Sequence, residues 1–171
     1  PDIEIIKFVR GDSDEKLKSH INDSDTIIHL AGENRPDNED AFKINYYLTE
    51  KICEFIRLEN RNIPIIFASS TQVTIDNLYS KSKLAAEKYL SELAMKNNNT
   101  VKIYRLPGVF GKWCKPNYNS VVATFCHNIA RDIDIIVNND AAKIELVYID
   151  DLADDILKDI NKKESGLSWG K

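Results

Sequence analysis

Short β-branched runs alternate along this sequence with longer segments whose apolar residues recur every three or four positions. "IEIIKFV" (3 to 9), "DTIIHLAG" (25 to 32), "IPIIFASS" (63 to 70) and "VKIYRLPGVFG" (101 to 111) read as strands, the last breaking at Pro107-Gly108. Between them, residues 15 to 23, Asp40 to Glu59 and 77 to 96 carry helical spacing, the second through Phe42, Ile44, Leu48, Ile52, Phe55 and Ile56. A helix from Ser120 to Arg131, a "DIIV" strand, an "IELVYID" strand and a last helix from Asp151 to Lys162 complete the pattern. Strand–helix alternation predicts an α/β fold, a doubly wound parallel sheet with helices on both faces. No repeat or linker interrupts it, so one domain is the economical reading. Such sheets bind ligands beyond the carboxyl ends of their strands. That directs attention to Arg10–Asp12, Leu30–Pro36, Ser69–Thr71 and Leu106–Phe110.

Composition narrows the function classes. With 43% hydrophobic residues in 171, the chain can build a core. A formal charge of −4 argues against a broad basic face for nucleic acid or acidic lipid. No apolar run approaches the roughly 20 residues of a membrane span, and the charged N-terminal stretch has no secretory pattern, so a cytoplasmic setting is expected. Cys53, Cys114 and Cys126 are too scattered for a zinc cluster or disulfide framework. His20 and His127 lack metal-ligand spacing, and no metal is expected. His29, inside an apolar strand, reads as a satisfied core histidine.

"NLYSKSKLAAEKYL" places Tyr79 four residues before Lys83, on one helix face. A phenol ionises near pH 10, and a nearby cation lowers that value toward useful acid–base chemistry. A tyrosine packed beside a solvated lysine is the plainer alternative. Ser69-Ser70-Thr71, nine residues upstream at a strand end, offers hydroxyls to the same crevice or simply a turn. Asn117, Asn119 and Ser120 precede a predicted helix and could bond a phosphorylated ligand or merely cap it. Arg105 suits phosphate, or a core carboxylate from mid-strand. Arg35 is the better placed of the two for a ligand. Trp113 could stack on a base or pack against the sheet.

"FASSTQV…YSKSKLAAEKYL" resembles the catalytic segment of the extended short-chain dehydrogenase/reductases, the NAD-dependent epimerase/dehydratase family, whose signature is Ser…Tyr-x-x-x-Lys. "VRGD", "TIIHLAG", Asn45, "YRLPGVFG" and "LVYIDDLADDI" follow in that family's order over nearly the whole chain. "HLAGENRP", "SSTQ…YSKSK" and "FGKWCKPNYNSVVATFCHNIAR" resemble, more narrowly, the bifunctional capsular-polysaccharide reductases of UDP-N-acetyl-L-fucosamine synthesis. The resemblance implies NADPH-dependent reduction of a 4-keto UDP-2-acetamido-2,6-dideoxy-hexose, NADH being possible. It implies Ser70, Tyr79 and Lys83 as catalytic residues, with Lys83 lowering the tyrosine pKa. Asp12, Leu30, Ala31, Gly32, Arg35, Lys83, Leu106 and Pro107 would meet the cofactor; Thr71, Gln72, Asn117, Asn119 and Ser120 would meet the UDP-sugar. A homodimer is implied for the full-length protein. An epimerase or dehydratase, or a non-catalytic NAD(P)-binding fragment, are the alternatives.

That family opens with a glycine-rich turn that holds the cofactor pyrophosphate. The glycines here stand at 11, 32, 108, 111, 166 and 170 and form no such cluster. The sequence therefore reads as a partial chain lacking the N-terminal Gly-rich βαβ unit and the C-terminal cupin. Weak NADPH binding by this chain alone is the expectation.

Overall fold

The computed structural model describes residues 3–33, 42–160, 162 and 166–170. Its elements run α1 (Asp14–Asp23), β1 (Ile27–His29), α2 (Ile44–Leu58), β2 (Ile65–Ser70), α3 (Leu78–Asn97), β3 (Val101–Leu106), β4 (Gly108–Phe110), α4 (Val121–Ile129), β5 (Leu146–Tyr148), α5 (Ile149–Ile160) and β6 (Leu167–Trp169). They form two compact units, Pro1–Arg105 with Lys162–Lys171, and Leu106–Asn161. Among the described residues no helix is long and apolar enough to cross a membrane.

The first unit carries a four-stranded sheet in the order β1-β2-β3-β6. β1 pairs with β2 in parallel, His29 opposite Phe67, and β3 pairs with β6 in parallel, Val101 opposite Leu167. Ile65, Ile66 and Phe67 of β2 are all buried, as expected of an interior strand covered on both faces. Leu17 and Ile21 of α1, Ile52, Cys53 and Ile56 of α2, and Leu90, Leu93 and Ala94 of α3 join Ile65, Phe67, Val101 and Ile103 in one core. On α2 the buried positions Asn45, Thr49, Ile52, Cys53 and Ile56 fall on one helical stripe. The expected α/β, Rossmann-like parallel sheet is present.

Helix ends follow local chemistry. Ser13 caps α1, accepting from the Lys16 N–H, and Asp14 and Glu15 in the first turn suit the positive end of the helix dipole. Asn77 caps α3 through the Ser80 N–H at 2.8 Å. The same helix ends at Asn98 in the left-handed conformation. The buried Asn99 amide then bonds the carbonyls of Arg61 and Ile63.

Three segments depart from the expected elements. Residues 3–9 form no strand: Ile3, Ile5, Ile6 and Val9 are exposed, and the segment joins no ladder among the described residues. β-branched residues favour extended structure, but a strand is stable only with a neighbour to pair with. The run 134–137 is likewise irregular, with Ile135, Ile136 and Val137 exposed. Conversely, "LSW" near the C-terminal end is a strand, β6.

In the second unit β4 and β5 pair in parallel, Phe110 opposite Tyr148, with their rings 5.5 Å apart. Gly111 leaves β4 at φ +136, where a Cβ would lie 2.5 Å from Ile149 Cγ2. Only glycine fits both that backbone and that space.

Candidate functional site

The buried face of α3 changes character along its length. Its last turns present Leu90, Leu93 and Ala94 to the core, whereas its first turns bury Ser80, Ser82, Lys83 and Glu87. Polar side chains reach the interior only where partners are supplied, and here β2 and α2 supply them.

Lys83 is 5% exposed. Its Nζ donates to the Ala68 carbonyl at 2.9 Å and lies 5.0 Å over the Phe67 ring. Burial lowers its pKa from 10.5 to about 8, while the Glu87 carboxylate pulls it back up. Asn45 of α2 donates to Ser82 Oγ at 3.0 Å and to the Glu33 carbonyl at 2.8 Å, and accepts from the Glu33 N–H. Ser82 in turn donates to the Tyr79 carbonyl. Asn45 thus pins the segment after β1 to the start of α3. A Cβ on Gly32 would sit 2.9 Å from Lys83 Nζ and 3.3 Å from Asn45 Oδ1, so the missing side chain lets the backbone pass close to the ammonium.

Ser70 ends β2 and is buried; its Oγ accepts from the Gln72 N–H and so also shapes the 3-10 turn Thr71–Thr74. Ser80 Oγ bonds the Gln72 carbonyl from α3 and ties that turn to the helix. Ser70 hydrogen-bonds the Tyr79 phenol. The structure therefore brings Ser70, Tyr79, Lys83 and Gly32 into one region of the first unit. One expectation is corrected. Burial pushes the Tyr79 phenol above its ordinary value, opposed by the Ser70 bond, while the Lys83 ammonium donates to the Ala68 carbonyl. A phenol held up in this way stays protonated at neutral pH.

The remaining expected positions are scattered. Leu30, Ala31 and Gly32 are solvent-exposed beyond β1. Asp12 closes the turn at Gly11, accepting from the Val9 N–H at 2.8 Å and from Lys16 Nζ at 2.8 Å, which hold its carboxyl below the usual range. Thr71 and Gln72 are exposed, and Arg35 lies outside the described residues. In the second unit, Leu106 and Pro107 are half-buried ahead of β4, while Asn117 and Asn119 are exposed. Ser120 caps α4, accepting from the Ala123 N–H at 3.3 Å. Trp113 is 94% exposed, so packing against the sheet is excluded.

His29 is the satisfied core histidine expected, 4% exposed and 2.9 Å from Thr49 Oγ1. Thr49 donates to the Asn45 carbonyl, so it accepts from His29 Nε2–H, and burial lowers the imidazole pKa to about 3. Burial pushes the Cys53 thiol up to about 12. Among the described residues no three His, Cys, Asp or Glu side chains cluster to hold a metal.

Arg105 resolves in favour of a core carboxylate. Its Nε and Nη2 grip Glu87 at 3.0 and 2.7 Å, and its guanidinium stacks 4.5 Å over the Trp169 ring. Glu87 escaped sequence reasoning, although its four-residue spacing from Lys83 repeats that of Tyr79 to Lys83.

The sequence matches the NAD dependent epimerase/dehydratase family over residues 3–169. The chain belongs to that family. Among members of the epimerase/dehydratase family, it is 49% identical over 164 residues to the UDP-2-acetamido-2,6-beta-L-arabino-hexul-4-ose reductase of Pseudomonas aeruginosa, covering 95% of this chain and 44% of that protein. It superposes on the capsular polysaccharide assembling protein CapF of Staphylococcus aureus with a TM-score of 0.76 at 40% identity, over 94% of this chain and 44% of that one. A UDP-N-acetylglucosamine 4-epimerase of Bacillus cereus shares the fold, with a TM-score of 0.73 at 23% identity, over 92% of this chain and 60% of that one. The chain spans less than half the length of the two nearer relatives.

Proposed function

We propose that the protein to which this chain belongs reduces a 4-keto UDP-2-acetamido-2,6-dideoxy-hexose with NADPH, a UDP-sugar ketoreduction in capsule or O-antigen L-fucosamine synthesis. The observation that carries the reading is a half-buried, protonated Tyr79 phenol hydrogen-bonded by Ser70, one helical turn from the buried ammonium of Lys83. The identity to a UDP-sugar 4-ketose reductase supports the substrate class.

Family membership implies a nicotinamide dinucleotide, and the residues fit its ribose–nicotinamide end. The exposed Leu30-Ala31-Gly32 strip runs close beside Lys83, where a Cβ at Gly32 would lie 2.9 Å from its Nζ. Asp12, Leu30, Ala31, Gly32, Arg35, Lys83, Leu106 and Pro107 are assigned to the cofactor, with Lys83 bonding its ribose hydroxyls. When bound, the cofactor supplies the hydride. Ser70 then holds the sugar carbonyl oxygen, and Tyr79 delivers its phenolic proton to that oxygen as negative charge develops. Thr71, Gln72, Asn117, Asn119 and Ser120 are assigned to the nucleotide-sugar. The reading includes a cytoplasmic homodimer. Tyr79→Phe in the full-length protein tests it: turnover of the 4-keto UDP-sugar, followed by NADPH absorbance, is expected to fall about 10²–10⁴-fold. Near wild-type turnover would sink the assignment.

A further inference from the structure

We propose that Glu87 is a positioning residue of this site, tying the Ser69–Ser70 tip of β2 to α3 and supplying the counter-charge one helical turn from Lys83. The inference rests on the reading of Lys83 as part of a reductase site. Glu87 is 4% exposed, a position where a carboxylate is costly unless paired. Its Oε1 accepts from Ser69 Oγ at 2.6 Å and from Arg105 Nε at 3.0 Å, and its Oε2 accepts from Arg105 Nη2 at 2.7 Å. Ser69 immediately precedes Ser70, so the carboxylate fixes the strand end that presents the Ser70 hydroxyl to Tyr79. The positions 79, 83 and 87 share one helix face.

A carboxylate needed only to anchor Arg105 and Trp169 would leave the chemistry of Lys83 untouched. The surroundings of Lys83 give Glu87 that influence. Tyr79 and Glu87 lie on its own helix, and His29 approaches from β1 as an uncharged imidazole. β2 offers the Ala68 carbonyl, and α2 offers the uncharged Asn45 and Thr49. Glu87 is then the one anion facing Lys83 among these groups, and Arg105 is the cation that tempers it.

The test is NMR titration of the lysine-labelled chain, with the Lys83 signal assigned by its absence in Lys83→Met. The wild-type midpoint is expected near 8. Glu87→Gln should make the ammonium at least tenfold more acidic, and Arg105→Gln should shift it the opposite way. Midpoints unchanged in both variants would overturn the proposal. Should Glu87→Gln not fold, an unchanged Arg105→Gln midpoint overturns it alone. The titration needs neither substrate nor cofactor. Shifts as expected beside an unimpaired Tyr79→Phe enzyme would discard the reductase reading and keep the Glu87–Lys83 coupling.

Discussion

Replacing Lys83 by methionine should make the chain more stable while removing a group the proposed chemistry needs. Methionine matches the lysine stem in length and carries no charge. In the native protein the ammonium is 5% exposed, and burial lowers its pKa from 10.5 to about 8. At 1.36 kcal/mol per pKa unit, that fall is a penalty of roughly 3 kcal/mol on the charged form. The unfolded chain holds the proton up to about pH 10.5 and the folded chain only to about pH 8. Unfolding therefore takes up a proton in that window, and wild-type stability rises with pH across it. Below pH 8 the penalty is fully present; above 10.5 it is gone. The variant forfeits the bond to the Ala68 carbonyl, a loss of about 1–2 kcal/mol, leaving it about 1–2 kcal/mol ahead of wild type at pH 7. Urea denaturation of both proteins at steps from pH 7 to pH 10 measures this. Subtracting one curve from the other cancels tyrosines and remaining lysines, and the variant's advantage should shrink and reverse as pH rises. A stability difference flat across that range would refute the reasoning, whatever its size.

Two further predictions concern stability rather than turnover. The buried His29, with its pKa near 3, must remain neutral in the folded chain while the unfolded imidazole protonates near 6.5, so stability is lost as pH falls below that value. His29→Gln, which keeps an N–H donor toward Thr49, should flatten the fall in urea midpoint between pH 6.5 and 4 that wild type shows; parallel falls contradict it. Gly170→Ala would place a Cβ 2.2 Å from the Tyr104 ring, and overpacking of this kind costs about 1–3 kcal/mol. An unchanged thermal midpoint would contradict the packing of the chain after β6 against β3.

Much of the fold was legible because the strongest signals were local. "IPIIFASS" is a continuous apolar run ending in hydroxyls, and it is β2. The α3 segment carries its own cap in Asn77 and its own stop in Asn98. The misreadings share one cause: pairing is not a local property. Residues 3–9 have β-branched composition yet find no ladder, while "LSW" looks like a polar tail and becomes β6 because Val101, Lys102 and Ile103 accept it as a neighbour. The site follows the same rule. Tyr79 and Lys83 were visible from spacing within one helix, and Ser70 from its place at a strand end. Glu87 gains its role from Ser69 and Arg105, 18 residues away on either side, which no spacing rule within a single helix could reveal. The direction of the Tyr79 shift was missed for a similar reason. A cation four residues away suggests a lowered value, but the side chain of Lys83 turns to β2.

The register between β1 and β2 acts as a length gauge for this site. His29 stands opposite Phe67, and Gly32 and Ser70 each follow their member of that pair by three residues. The glycine against the ammonium and the hydroxyl beside the phenol are thus placed by counting outward from one backbone pairing. Side chains alternate faces along a strand, so one residue inserted between Phe67 and Ser70 would turn the hydroxyl to the other side of the sheet. Insertions in the exposed connections cost far less. Variation in chain length among functional relatives should therefore accumulate in those connections and spare the two three-residue spacers.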